Sequence, residues 1–341
     1  MSEKKLEIVI NQDAIGFTCS EDETILRGAL RSRISMEYEC NSGGCGSCKF
    51  ELLEGEVEDL WSDAPGLSRR DLRKGKKLAC QCVPKTKCII KAQINTVDLP
   101  NTAKYFHVTY KGKTQLTNDM AEFRFQADNP AKFLAGQYAM FTLPNVKGDR
   151  AYSMSNISNE AGYWQFIIKY MPGGNGTHYL FNELKEGDTL NIDGPYGNAY
   201  LRDDNDRDIV LIAGGSGLSP VVSIARSLTM NDTFVGRKVY LFYGGRGPQD
   251  ICTPQLTEEL NPLDIELICH NAVSDKGLAK ADNWNGPCCF IHELVEKKLG
   301  NTMPDYEYYF CGPPPMTEAV QRMVMIDYQV PFKQVHFDRF F

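Results

Sequence analysis

Three of the twelve cysteines in this 341-residue sequence stand in Cys40-Asn41-Ser42-Gly43-Gly44-Cys45-Gly46-Ser47-Cys48, a C-x4-C-x2-C run, and Leu78-Ala79-Cys80-Gln81-Cys82 follows further along. Thiolates at this spacing ligate the two irons of a 2Fe-2S cluster. Four sulfurs must surround one compact group, so the loop has to wrap tightly and aim backbone N–H groups at sulfur. Gly43, Gly44, Gly46 and Ser47 suit that task, because glycine reaches positive φ cheaply and small side chains admit the amides. A structural zinc site usually pairs two C-x2-C units, and only one occurs. For the fourth ligand, spacing leaves Cys80 and Cys82 both open, since alternate residues of a strand face the same way.

Two further constellations point to dinucleotides. Arg150-Ala151-Tyr152-Ser153 is followed by Lys169-Tyr170-Met171-Pro172-Gly173-Gly174-Asn175-Gly176-Thr177, where a helix is predicted to open at about Thr177. Glycines before a helix present free amides to a diphosphate, arginine pairs with the same anion, and tyrosine offers a flat face to a ring. An Arg and a Tyr on an ordinary strand would give the same tetrapeptide. Later, an apolar run leads straight into Gly214-Gly215-Ser216-Gly217-Leu218-Ser219-Pro220 and a helix, and another ends in Cys311-Gly312-Pro313-Pro314-Pro315-Met316. Both turns fall at the carboxyl ends of strands, where open α/β sheets bind ligands. After the second strand of this region, Asp250 is placed to take ribose hydroxyls and Arg246 to hold a 2′-phosphate. No second cation accompanies Arg246.

The other thiols, Cys19, Cys88, Cys252, Cys269, Cys288 and Cys289, form no ligand pattern and read as small buried or surface side chains. His107, His178, His270, His292 and His336 are scattered, so no mononuclear metal is expected.

The elements that position these residues change character along the chain. Alternating segments at 106–110, 122–126, 138–143, 163–170 and 189–192 predict short antiparallel strands and hence a barrel. From Asp208 onward, apolar runs at 209–213, 239–243, 265–269 and 308–311 alternate with helical stretches at 221–228, 290–298 and 317–326, the rhythm of a parallel sheet. Ser68 to Lys77 predicts a short capped helix.

Composition sets outer limits. Charged residues make up 24% and the net charge is −7 at pH 7, which argues against a nucleic-acid partner. The charged start, with no apolar stretch behind it, predicts a cytoplasmic protein without a membrane segment. Twelve cysteines in such a chain are expected to be reduced thiols or metal ligands.

Residues Tyr38 to Lys49 resemble the ferredoxin domains fused to bacterial oxygenase reductases, where the cysteine of Leu-Ala-Cys is the fourth ligand. That resemblance selects Cys80, completing the set Cys40, Cys45, Cys48 and Cys80. The Arg150–Ser153 tetrapeptide resembles the R-x-Y-[ST] motif of the ferredoxin–NADP reductase superfamily. It implies that Arg150 meets the FAD diphosphate, Tyr152 lies against the isoalloxazine, and Ser153 sits near its reactive nitrogen. Lys169 and the turn Gly174, Asn175, Gly176 and Thr177 are implied to join them, with Thr177 where serine is usual. Gly194-Pro195-Tyr196-Gly197 matches that family's G-P-[FLY]-G turn.

The two later turns are similar to the superfamily's NAD(P) signature. Gly214, Gly215, Ser216, Gly217, Gly312 and Pro313 are thereby implied at the coenzyme and Cys311 beside the nicotinamide. The ending His336-Phe337-Asp338-Arg339-Phe340-Phe341 resembles the family's acidic-x-aromatic end, with Asp338 for the frequent glutamate and Phe340 against the cofactors. Ser153, Cys311 and Asp338 are thus the implied catalytic neighbours, and NADH is favoured because related reductases with a similar arginine use it.

The fold expected is multidomain, α+β and α/β: a β-grasp 2Fe-2S ferredoxin domain over 1–97, an antiparallel Greek-key β-barrel FAD domain over 98–205, and a parallel-sheet α/β NAD-binding domain over 206–341. The whole chain resembles reductase components of bacterial multicomponent oxygenases, most closely the toluene 4-monooxygenase type. That implies hydride transfer from NADH to FAD, then single electrons through the cluster to a Rieske ferredoxin or di-iron hydroxylase. The same modules would also serve a Rieske dioxygenase, another redox partner, or a non-catalytic redox sensor.

Overall fold

In the computed structural model, residues 4–11, 15–95, 101–259 and 266–340 are described. They separate into two compact units, one running to Lys104 and the other spanning Tyr105–Phe340. The expected boundary between residues 97 and 98 lies outside the described residues.

The first unit is a mixed sheet wrapped on a short helix. Its strands are β1 (Lys5–Ile10), β2 (Ile15–Ser20), β3 (Lys49–Glu54), β4 (Val57–Asp59), β5 (Lys76–Leu78), β6 (Cys82–Pro84) and β7 (Cys88–Ala92). The main sheet runs β2-β1-β7-β3-β5, with β1 and β7 parallel and the other pairs antiparallel, and β4 pairs separately with β6. Helix Ile25–Arg31 buries six of its seven residues. It sits so close to β2 that a Cβ on Gly28 would lie 2.7 Å from Cys19 Sγ. The Cys19 thiol is fully buried and burial pushes it up to about 12, as suits a packing residue. The cluster-type loop spans the gap between this helix and β3. Ser68 caps helix Arg69–Arg73 in a reciprocal capping box with Asp71, and Gly75 ends it at φ 67°.

In the second unit, β8 (Lys104–Thr117), β9 (Met120–Gln126), β10 (Tyr138–Thr142), β11 (Arg150–Ser153), β12 (Tyr163–Lys169) and β13 (Thr189–Tyr196) form a sheet ordered β11-β10-β13-β8-β9-β12. It curls until its edges meet: Met154 bridges Phe166, and Ser155 N donates to Gln165 O at 2.7 Å. Closure removes both edges, and the non-sequential order is that of a Greek key. The interior is aromatic: Phe141 meets Phe125 and Phe166 edge-on, with centroids 5.5 and 4.8 Å apart. Five strands were expected here; the sixth is β11, the Arg150–Ser153 segment itself. Four residues beginning with arginine are too short and too polar to show alternation, and pairing with β10 makes them a strand.

The rest of this unit is a parallel sheet of β14 (Ile209–Gly214), β15 (Lys238–Gly245), β16 (Glu266–Val273), β17 (Glu307–Gly312) and β18 (Val335–Arg339), ordered β16-β15-β14-β17-β18. Every residue of β14 is buried, which is why it reads as an unbroken apolar run. The strand order reverses between β14 and β17, so the turns after Gly214 and Gly312 open side by side at the switch point. They touch: a Cβ on Gly217 would lie 2.0 Å from Cys311 O. Among the described residues, no helix is long and apolar enough to cross a membrane.

The Gly217 contact is with backbone, which has nowhere to move. Gly217→Ala is expected to destabilise the second unit by about 1–3 kcal/mol through overpacking, measured as a lowered midpoint in urea.

Candidate functional site

The sulfurs of the loop come together as two pairs. Cys45 N donates to Cys40 Sγ at 3.3 Å, Ser42 N to the same sulfur at 3.5 Å, and Ser47 N to Cys45 Sγ at 3.4 Å. The thiol of Cys45 hydrogen-bonds that of Cys40, which is thereby held down to about 6, with the amides of Ser42 and Cys45 adding to the effect. Cys48 and Cys80 form the second pair, and the bond from Cys80 likewise lowers Cys48. Two pairs of thiols suit the two irons of a 2Fe-2S cluster.

Small residues make the wrapping possible. Gly43 and Gly46 take φ values of 89° and 78°, and a Cβ on Gly46 would lie 2.3 Å from Gly66 O.

The choice between Cys80 and Cys82 turns on local backbone. Cys80 lies in a 3-10 turn, Ala79–Gln81, while Cys82 begins β6. The two are therefore not alternate residues of one strand. Both thiols are buried and raised, Cys82 up to about 12 by burial and Cys80 by its bond to Cys48 together with burial.

On the barrel, β11 presents Arg150 and Tyr152 to the start of helix Asn175–His178, two residues before the predicted position. A Cβ on Gly176 would approach Arg150 Cγ to 3.2 Å and Tyr152 Oη to 3.4 Å, so glycine admits both side chains to one spot. Tyr152 stands edge-on to Phe141 with centroids 5.1 Å apart. Thr177 Oγ1 accepts from Met171 N at 3.1 Å and closes the turn, a task its hydroxyl shares with serine. Arg150 Nη1 donates to the carbonyls of Lys147, Gly148 and Asp149 at 3.1 to 3.2 Å. A cation, a helix start and a flat ring together fit a flavin dinucleotide.

A polar stripe unread in the sequence joins this barrel to the nucleotide sheet. Helix Leu218–Thr229 is mostly apolar and buried, and on it Ser219, Ser223 and Arg226 recur at i, i+4 and i+7. Ser219 Oγ donates to Ser153 O at 2.6 Å and accepts from Ile167 N at 3.0 Å. Ser223 Oγ donates to Asn156 O at 2.6 Å. Arg226 pairs with Glu122 at 2.8 Å and donates to Ser155 O at 2.9 Å, while Ser155 Oγ donates to the same Glu122 oxygen at 2.6 Å. The helical spacing of these three residues is the trace that pointed to the contact.

Barrel and sheet together wall a cleft of about 370 Å³. Of the residues singled out in the sequence, Lys169, Gly214, Gly215, Ser216, Arg246, Asp250, Pro313 and Phe340 line it. Gly217 and Gly312 form the close-packed floor where the two turns touch, Cys311 is buried in β17, and Asp338 is buried beside it in register on β18. Met171 and Met316, which stand within two of the motifs quoted above, also line the cleft, as do Ser274, Cys289, Phe290 and Ile291, which carried none.

Asp250 is more occupied than its position in sequence suggests. Its Oδ2 accepts from Arg246 N at 2.9 Å and Gly247 N at 3.0 Å, which shapes the turn bearing Arg246. Its Oδ1 lies 3.5 Å from Lys169 Nζ, which also pairs with Asp119 at 2.8 Å.

Three family models match the chain in succession: a 2Fe-2S iron-sulfur cluster binding domain over residues 8–85, an oxidoreductase FAD-binding domain over 107–200 and an oxidoreductase NAD-binding domain over 211–322. The ferredoxin–NAD(P)+ reductase CarAd of Metapseudomonas resinovorans is 40% identical over 95% of this chain and 96% of its own length. The ferredoxin–NAD+ reductase component of the alkene monooxygenase system of Xanthobacter autotrophicus is 36% identical, covering 96% and 98%. Among solved structures, the ferredoxin reductase in carbazole 1,9a-dioxygenase matches with a TM-score of 0.89 at 36% identity, covering 100% of both chains.

Removing the Ser219 hydroxyl leaves a buried carbonyl and a buried amide without their partner. Ser219→Ala is expected to cost about 1–3 kcal/mol of stability, read in a denaturant titration of the whole chain.

Proposed function

Since this chain belongs to the ferredoxin–NAD(P)+ reductase family that serves as reductase components of oxygenase systems, we propose that it passes electrons from NADH, by way of FAD and a 2Fe-2S cluster, to a Rieske ferredoxin or a di-iron hydroxylase. When bound, FAD accepts a hydride and releases electrons singly, and a 2Fe-2S cluster carries one electron at a time. The observation that carries this reading is the cleft walled jointly by Lys169 of the barrel and the glycine turn Gly214–Ser216 of the sheet.

In this reading each group has a binding or orienting task, and none acts as a strong acid or base. Arg150 and the amides at Gly174, Asn175, Gly176 and Thr177 hold the flavin diphosphate, and Tyr152 lies along the ring system. Ser153 and Cys311 border the place where flavin and nicotinamide meet, with Asp338 behind Cys311 and Phe340 covering the cleft. Gly214, Gly215, Ser216 and Pro313 receive the coenzyme diphosphate at the opening of helix Leu218–Thr229. Lys169 supplies a cation to it, released from its weaker contact with Asp250. With its carboxylate committed to two amides of the turn, Asp250 shapes the position of Arg246 more than it recognises ribose. Cys40, Cys45, Cys48 and Cys80 hold the cluster.

The relatives divide between a dioxygenase and a monooxygenase system, which supports an oxygenase partner of either kind. Among the described residues no two cysteines are joined as a disulfide, in keeping with the cytoplasmic setting we propose.

Anaerobic titration of the purified protein with NADH is expected to bleach the flavin absorbance. An unchanged spectrum would remove the reductase reading. Cys80→Ser is expected to lose the cluster spectrum and cytochrome c reduction while keeping NADH–ferricyanide activity. Cys82→Ser is expected to keep all three. The reverse outcome would move the fourth ligand to Cys82.

A further inference from the structure

Gln81 follows Cys80 and directs its side chain back along the loop. Its Nε2 lies 3.7 Å from Cys80 Sγ, within reach of an N–H···S hydrogen bond. The stem is held from two sides. Gln81 O accepts from Leu60 N at 2.8 Å. The side chain lies against Gly43, where a Cβ would come within 3.3 Å of Gln81 Cγ, and Trp61 covers the same glycine at 3.2 Å. A larger residue at position 43 would push both away.

Both sulfur pairs receive backbone amides, those of Ala79 and Cys80 reaching Cys48, and the side chains of Ser42 and Ser47 add to those on Cys40 and Cys45. Ser42, Cys45 and Ser47 give backbone amides to Cys40 and Cys45. Those amides follow from the loop's path and are the same for any side chain that allows it. The carboxamide of Gln81 is a side-chain donor on the Cys48–Cys80 pair, and substitution can remove it without changing the path.

We propose that Gln81 is a tuning residue for electron transfer, its carboxamide N–H raising the reduction potential of the cluster by bonding the Cys80 sulfur. Reduction adds one electron to an already anionic group and forms or breaks no covalent bond. A donor aimed at a ligand sulfur strengthens as that sulfur gains charge, so it favours the reduced form over the oxidised one. The fixed stem keeps the entropy cost of this bond low.

This inference rests on the cluster reading, which iron and sulfide analysis tests separately: a chain that binds neither would remove that reading whatever Gln81 does. The test is an EPR-monitored redox titration of the full-length holoprotein, Gln81→Met and Gln81→Glu. Methionine keeps the length of the side chain and removes the donor. Glutamate keeps the shape and replaces the donor with an anion. In Gln81→Met the reduced-to-oxidised ratio of the cluster at a fixed potential is expected to fall about tenfold, ~59 mV for a one-electron couple. In Gln81→Glu it is expected to fall further. Iron content and the flavin couple should stay unchanged in both. An unaltered cluster potential in a fully loaded Gln81→Met protein would overturn the proposal. Should the methionine variant fail to hold its cluster, Gln81→Leu, which removes the donor without adding charge, decides: a potential at or above that of the natural chain would overturn the proposal, and a lowered one would uphold it.

Discussion

Helix Leu218–Thr229 is buried on nearly every side, yet it carries three polar residues toward the flavin-type barrel, and much of the second unit depends on how they are satisfied. Ser219, Ser223 and Arg226 end on Ser153, Asn156, Ser155 and Glu122, and the Arg226–Glu122 pair is itself largely buried. A buried ion pair gains little net stability over an apolar contact, but breaking one partner away costs about 3–5 kcal/mol. Such an arrangement therefore specifies register more than it adds stability. A slide of the helix by one turn would strand a buried carboxylate and several backbone groups.

That register matters because the same helix opens at the glycine turn after β14. Ser219 bonds the carbonyl of Ser153, two residues beyond the glycine at 217 whose missing side chain lets β17 approach. The barrel motif, the first nucleotide turn and the second nucleotide turn are thus joined through about one turn of helix. Reactions between two bound rings gain most of their rate from such fixed placement, and small displacements are costly. On the function proposed above no titrating residue is required there, since alignment and exclusion of water would be the tasks, and backbone and small side chains suit them.

The cysteine loop solves a related problem with different means. It lacks a large apolar core of its own, and glycines at positive φ let the chain turn its amides inward toward sulfur. The four sulfurs sort into two hydrogen-bonded pairs, Cys40 with Cys45 inside the loop and Cys48 with Cys80 beyond it. Side chains from outside the loop, Trp61 and Gln81, then rest on the space that Gly43 leaves open.

Much of this was legible in the sequence because the chemistry demands particular residue types at short range. The C-x4-C-x2-C spacing, the glycine turns after apolar runs and the alternation of five barrel strands are local patterns, and each follows from the geometry of one loop or one element. What lies between elements was not legible. β11 is too short to alternate, and only its pairing with β10 makes it a strand. Spacing alone left Cys80 and Cys82 both open, and family resemblance favoured Cys80; the 3-10 turn that holds Cys80 is three residues long and leaves no periodicity to read. Ser274 and Phe290 reach the cleft from separate segments with no motif to mark them. Asp250, placed by its position for a ribose, also bonds two amides of the turn it closes. The sequence by itself determined which cofactor chemistry the chain is built for, since cysteine spacing and glycine turns are dictated by sulfur ligation and diphosphate binding. Only the tertiary structure decided how barrel and sheet are locked together, because Ser219, Ser223 and Arg226 acquire meaning only from the carbonyls and the carboxylate that folding sets opposite them.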